Sequence, residues 1–196
     1  MQIRCALVGM PGSGKSTVGR QLAHRAGVPF IDLDHRLEKT IGTSIRNFFD
    51  TEGEARFRDL EAQVLAEVAQ QPGGMVLSTG GGAVLRAENR EVLRQFGNVL
   101  YLRASPEEIY KRVKHDKTRP LLQGGNPMGK LRELYAVRDP LYRETAHFVI
   151  ETGRPSVSTL VAMVMMQLEM AHSACAPAAP PAPGAGTGHP ADTAAR

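Results

Sequence analysis

Nine consecutive residues, Gly9-Met10-Pro11-Gly12-Ser13-Gly14-Lys15-Ser16-Thr17, have the types and the spacing to hold a chain of phosphates. They fit G-x-x-x-x-G-K-[ST], whose glycines let the backbone curl until successive N–H groups point inward at anionic oxygens. A helix opening at Lys15 adds the positive end of its dipole. Lys15 is placed to bridge the β- and γ-phosphates of a nucleotide and the Ser16 hydroxyl to ligate Mg²⁺, with Gly12, Ser13, Gly14 and Thr17 completing the cradle. Elsewhere, Asp32 and Asp34 close one apolar run, and Gly80-Gly81-Gly82 follow another. These residues predict a nucleotide-binding protein.

Positioning them requires a sheet. Residues 3–8 are a mostly apolar run that reads as a buried strand, and Val18, Leu22, Ala23 and Ala26 then recur at helical spacing before Gly27. Residues 28–34, 75–79, 98–102 and 147–150 read as four more short strands, separated by helical patterns. On an extended strand end, Asp32 and Asp34 share a side. Such alternation predicts an α/β, three-layer fold with a five-stranded parallel sheet flanked by helices. In that architecture ligands sit at the carboxyl ends of the strands, where the phosphate loop, Asp32, Asp34, Ser78 and the triple glycine all fall.

Two stretches exceed what a crossover needs. Between the second and third strands, the segment 44–49 and a helical pattern over 54–70 suggest a small helical substrate-binding insertion, placed at about 33–61. A polar, glycine-containing stretch, about 113–126, lies between helices begun by Ser105-Pro106 and Asn126-Pro127 and carries Arg119. It suits a lid that excludes water during phosphate transfer, although its composition alone favours a flexible surface loop. Residues 1–172 thus read as one kinase-sized domain. From 173 to 196 Ala, Pro and Gly dominate, and disorder is expected.

The formal charge of +4 on 196 residues is dispersed, so no nucleic-acid partner is expected and an anionic small substrate suits it better. Cys5 and Cys175 form neither a disulfide framework nor a metal site. No apolar run approaches about 18 residues and no signal peptide precedes the first strand, so neither a membrane partner nor export is expected. A cytoplasmic monomer is the expectation.

Several separated motifs, taken together, resemble shikimate kinase over about residues 1–170. They are Asp32-Leu33-Asp34, Gly53-Glu54-Ala55-Arg56-Phe57-Arg58-Asp59-Leu60-Glu61, Gly80-Gly81-Gly82, Arg119-Pro120-Leu121-Leu122 and Arg138-Asp139-Pro140-Leu141-Tyr142. The resemblance implies ATP- and Mg²⁺-dependent phosphorylation of the 3-hydroxyl of shikimate, in aromatic amino-acid biosynthesis. It also implies a five-stranded parallel sheet with a lid and a shikimate-binding region.

Carried onto this chain, the resemblance makes Arg58 and Arg138 the clamp on the substrate carboxylate, a task suited to planar, bidentate donors. Asp34 would hydrogen-bond the ring hydroxyls, with Gly80, Gly81 and Gly82 close by, and Asp32 would reach Mg²⁺ through water. Arg119 would meet the transferring phosphate, while Arg112 and Pro155, with Arg154 beside them, would hold the adenine. Each has a plainer alternative. Arg58 could pair with Glu54 or Glu61 along one helix, Arg138 could cap a helix broken at Pro140, and either aspartate could be an N-cap. Ser78 stands where phosphate-loop enzymes commonly place an aspartate, which agrees with the resemblance. Gluconate or a nucleoside monophosphate as acceptor keeps the same fold. A non-catalytic nucleotide switch is disfavoured, because Asn-Lys-x-Asp is absent.

Overall fold

Alternation of side chains along short buried strands generates the layers. In β1 (Arg4–Val8), Cys5 and Leu7 join one apolar cluster while Ala6 and Val8 join the other, and all four are fully buried. In β4 (Asn98–Arg103), Val99 and Tyr101 divide from Leu100 and Leu102 in the same way. A sheet buried on both faces needs helices on both, and the computed structural model, which describes residues 3–114 and 126–174, has them. The chain runs β1, α1 (Lys15–Ala26), β2 (Phe30–Asp32), α2 (Leu33–Ile41), α3 (Ile45–Ala69), β3 (Met75–Ser78) and α4 (Ala87–Phe96). It continues through β4, α5 (Pro106–Val113), α6 (Pro127–Thr145), β5 (Phe148–Glu151) and α7 (Val157–Ala174).

The sheet is five-stranded and parallel, in the order β2-β3-β1-β4-β5. Helices α1 and α7 cover one face through Val18, Leu22, Leu160, Val161, Val164 and Leu168. Leu33, Leu37, Phe57, Leu65, Leu93, Ile109 and Tyr142, from helices α2 to α6, cover the other. Each fully buried leucine or valine contributes about 1.5–3 kcal/mol, so these layers hold the strand ends rigidly. Helix α1 lies close on the sheet because Gly19 has no Cβ; one there would stand 2.6 Å from the Phe30 ring and 3.0 Å from Leu7. Registry then aligns the functional ends: Ser78 pairs with Leu7 on one side and with Asp32 on the other.

Three local readings of the sequence change. The second strand is shorter than 28–34, because the Asp32 carboxylate accepts from His35 N and caps a helix that already begins at Leu33. Asp34 therefore stands in the first turn of α2, not on an extended strand end. Helix α6 is not broken at Pro140 but runs on to Thr145. An interior proline costs about 3 kcal/mol, and side-chain anchors on both sides of Pro140, from Asp139 to Tyr101 and from Tyr142 to Gly81, oppose that cost. Helix α7 runs to Ala174, just past the expected start of the tail.

Helix α3 changes direction at Gly53 (φ 81°, ψ 168°), a conformation that only glycine adopts readily, so the turns before it are set apart from the long arm carrying Phe57, Arg58 and Glu61. Helix α5 starts on a reciprocal capping box, with Ser105 accepting from Glu108 N and Glu108 from Ser105 N.

Candidate active site

The loop between β1 and α1 turns through Gly9, Gly12 and Gly14, all with positive φ, and Gly14 is the N-cap of α1. Lys15 is nearly buried, and its ammonium donates to the carbonyls of Gly9 and Met10 at 2.9 and 3.0 Å. The loop thus folds around its own cation, leaving the N–H groups at the start of α1 for an anion. The Ser16 hydroxyl donates to Asp32 Oδ2 at 2.7 Å and lies 3.4 Å from the Ser78 hydroxyl. A hydroxyl and a carboxylate side by side are hard oxygen donors, the set that Mg²⁺ takes from proteins while keeping waters and phosphates for its other positions. Among the described residues no cluster of three or more His, Cys, Asp or Glu forms a self-sufficient metal site.

A cleft of about 450 Å³ opens over this loop. Gly12, Lys15, Ser16 and Thr17 line it on one side, Asp32, Asp34, Thr79 and Gly81 on another, with Arg112 at its margin. Burial is the main reason that the Asp34 carboxyl is pushed up to about 6; Lys15 opposes the shift, while Asp32, Glu61 and Glu38 add to it.

Behind the cleft, Glu61 is buried and its carboxyl is also raised, by burial, against the pull of Arg58, Arg138 and Arg86. Arg58 pairs with Glu61 at 2.7 Å and with Glu54 at 3.1 Å, so both ion pairs considered from the sequence form. Its guanidinium also lies against the Phe57 and Phe49 rings, 5.3 and 5.8 Å from their centres. Arg138 stands near Tyr142 and Glu61, whose ionisations feel its charge. Neither Arg58 nor Arg138 lines the cleft itself, and the Arg58 guanidinium packs on Gly82 beside it.

The three glycines owe nothing to left-handed backbone, since none has positive φ. A Cβ on Gly80 would stand 2.6 Å from Asp34 Oδ1 and 3.2 Å from Glu61 Oε1, one on Gly81 2.7 Å from Pro11 Cδ, and one on Gly82 inside the Arg58 guanidinium. They are glycines because charged side chains and the phosphate loop pack onto them. Tyr142, fully buried, fixes this stretch by donating to the Gly81 carbonyl at 2.6 Å.

Arg112 donates to Ser13 O, Thr152 Oγ1 and Thr152 O, tying the phosphate loop to the turn after β5. Arg154 in that turn is exposed and Pro155 half-buried, and neither lines the cleft. Arg119, with most of the expected lid, lies outside the described residues. Sequence reasoning gave no role to Tyr142 or Thr152, and read Glu61 only as a partner for Arg58. A carboxylate three residues after Arg58 was the available signal for Glu61; the other two depend on contacts across 61 and 40 residues.

Comparison with known proteins agrees with this geometry. Residues 11–169 match the family model described as shikimate kinase. A shikimate kinase from Paracidovorax citrulli (strain AAC00-1) is 58% identical over 172 residues, which span 87% of this chain and 94% of that one. One from Ralstonia nicotianae (strain ATCC BAA-1114 / GMI1000) is 55% identical, over 88% of this chain and 90% of its own. Among solved structures, the shikimate kinase from Acinetobacter baumannii in complex with shikimate superposes with a TM-score of 0.80 at 44% identity, covering 87% of this chain and 94% of that one. With the phosphate loop, the glycine-packed carboxylates and relatives of this closeness all in agreement, the chain belongs to the shikimate kinase family.

Proposed function

We infer that the chain is a shikimate kinase, transferring the γ-phosphate of ATP to the 3-hydroxyl of shikimate and releasing shikimate 3-phosphate and ADP. The observation that carries the reading is that one cleft is lined both by the phosphate loop, through Lys15, and by an acceptor-side carboxylate, Asp34. Bringing donor and acceptor into one water-poor space is most of what phosphoryl transfer asks of a protein.

The residues divide the work by chemistry. Lys15 gives its ammonium to the β- and γ-phosphates, leaving the carbonyls of Gly9 and Met10, and so balances charge where it develops. Asp34 orients the reacting hydroxyl and can hold its proton; a carboxyl pushed up to about 6 is a better base than an ordinary one. Arg58 and Arg138 receive the acceptor's carboxylate, with Gly80, Gly81 and Gly82 giving it room. Arg112, at the margin of the cleft, would meet the base of ATP with Arg154 and Pro155 nearby in sequence, and Arg119 would meet the transferring phosphate if the stretch of about 113–126 serves as a lid. The stretch of about 33–61 serves as the acceptor-binding insertion. Ser16 and Asp32 would hold Mg²⁺, which when bound neutralises phosphate charge.

The test is an ADP-release assay with shikimate, gluconate, AMP and CMP as acceptors. Turnover is expected with shikimate. Turnover with gluconate or a nucleotide, and none with shikimate, would overturn the assignment.

A further inference from the structure

Helix α6 carries Arg138, yet the strongest anchors of that helix belong to its neighbours. The Asp139 side chain is only 16% exposed, and its carboxylate is shared between two elements. Oδ1 accepts from the hydroxyl of fully buried Tyr101 on β4 at 2.7 Å and lies 3.5 Å from Arg103 Nε; Oδ2 accepts from Arg143 Nε at 2.7 Å. Arg103 also donates from Nε to the Tyr135 hydroxyl at 2.8 Å and from NH1 to Glu151 on β5 at 2.7 Å. The Tyr101 ring packs on that of Tyr142, with centroids 4.9 Å apart.

Tyr135, Asp139 and Tyr142 follow at i, i+4 and i+7, so β4 grips one face of α6 at successive turns. Apolar packing alone resists sliding poorly, because it has no direction; bonds to a buried phenol and to a guanidinium do have one. The grip sits where the helix is weakest. Pro140 has no N–H to give to the carbonyl of Ala136, so the backbone around Arg138 lacks a rung.

We propose that Asp139 is a positioning residue for the acceptor: by pinning α6 to β4 through Tyr101 and Arg103, it sets where the Arg138 guanidinium stands. The proposal rests on the reading of Arg138 as a ligand of the acceptor's carboxylate. Asp139 is bonded to Tyr101, Arg103 and Arg143 and does not line the cleft, so its effect passes through Arg138.

The experiment compares full-length wild type with Asp139→Asn, Tyr101→Phe, Arg138→Ala and the double variant Asp139→Asn/Arg138→Ala, using shikimate and its methyl ester. With Asp139→Asn, KM for shikimate should rise about tenfold, below the roughly 10²-fold that a 1 Å misplacement can cost. The kcat should stay within about twofold and KM for ATP should hold, as expected when ground-state binding alone is lost. KM for the ester, which lacks the charged carboxylate, should not change, and the double variant should bind shikimate no worse than Arg138→Ala alone. Equal losses on acid and ester, or an Asp139→Asn effect that persists without Arg138, would overturn the proposal. Arg138→Ala with an unaltered KM would instead overturn the reading of Arg138 on which it rests. Should Asp139→Asn unfold, Tyr101→Phe keeps the ring and puts the same question, with the same outcomes deciding it.

Discussion

Ser16 and Asp32 are in direct contact across the start of α1 and the end of β2, the serine hydroxyl donating to the carboxylate at 2.7 Å. The carboxylate has a second duty, since its other oxygen accepts from His35 N as the cap of α2. Asp32→Asn separates the two, because asparagine caps a helix about as well as aspartate. The variant should fold normally and need about 10–100-fold more free Mg²⁺ for half-maximal turnover, the range for losing an outer-sphere partner. Titrating activity against Mg²⁺ at fixed ATP measures it; an unchanged requirement would leave Asp32 as a cap alone.

Asp34 should set the acid limb of activity. Its carboxyl is pushed up to about 6, chiefly by burial, so kcat/KM should fall as pH drops below that value. The sign for stability follows from the same shift. The folded state takes up a proton before the unfolded chain, whose carboxyl titrates near about 3.9, so wild type loses stability as pH rises from about 4 to about 6. Asp34→Asn should therefore melt higher than wild type at pH 7, with the gap closing towards pH 4. Thermal unfolding across that window checks it, and a gap that widens on acidification would contradict it.

The two partners of Arg58 should differ sharply. Glu54 is 62% exposed, so Glu54→Ala should cost no more than about 1 kcal/mol. Glu61 is 1% exposed; Glu61→Ala leaves a largely buried guanidinium without its closer partner and should cost about 3 kcal/mol or more. Urea denaturation of the two variants decides it, and equal losses would show that the buried pair has no special weight.

Gly82→Ala should damage acceptor binding rather than the fold. The new methyl group would occupy the space of the Arg58 guanidinium, the far end of a flexible side chain that can move aside. KM for shikimate should rise about tenfold or more while KM for ATP holds, since a hydrogen-bonded contact to a charged group is worth about 1.5–3 kcal/mol. Initial-rate kinetics in both substrates test this; an unchanged KM for shikimate would place the acceptor away from Arg58.

The sheet was legible because its signals are local. Short apolar runs between Gly, Pro and Asn breaks mark all five strands, and the phosphate loop is contiguous in sequence. Asp34 was misplaced because strand patterning outweighed the capping power of Asp32, two residues earlier. Pro140 looked like a helix break because a proline's cost is visible in sequence and the anchors that offset it are not. Tyr101 lies 38 residues from Asp139, and Tyr142 lies 61 from Gly81. The triple glycine is legible as a motif, but its cause, the side chains that pack on it, is not. Where a site is built from contacts of that span, residue types announce the chemistry but not the supports.

At the other end of the sheet, Arg4 donates to the carbonyls of Phe96 at 2.9 Å, Gly73 at 2.6 Å and Ala69 at 2.7 Å, residues 92, 69 and 65 positions away. Two of those carbonyls close helices α3 and α4 and the third lies in the turn from α3 to β3, so one guanidinium finishes both helices and that turn. Chain closure over loops of that length is where a covalent bridge stabilises most. The neighbouring cysteine, Cys5, is a buried free thiol. Unlike a disulfide, which also constrains the unfolded chain, this clasp of three hydrogen bonds acts only in the folded state, and reducing conditions cannot cut it.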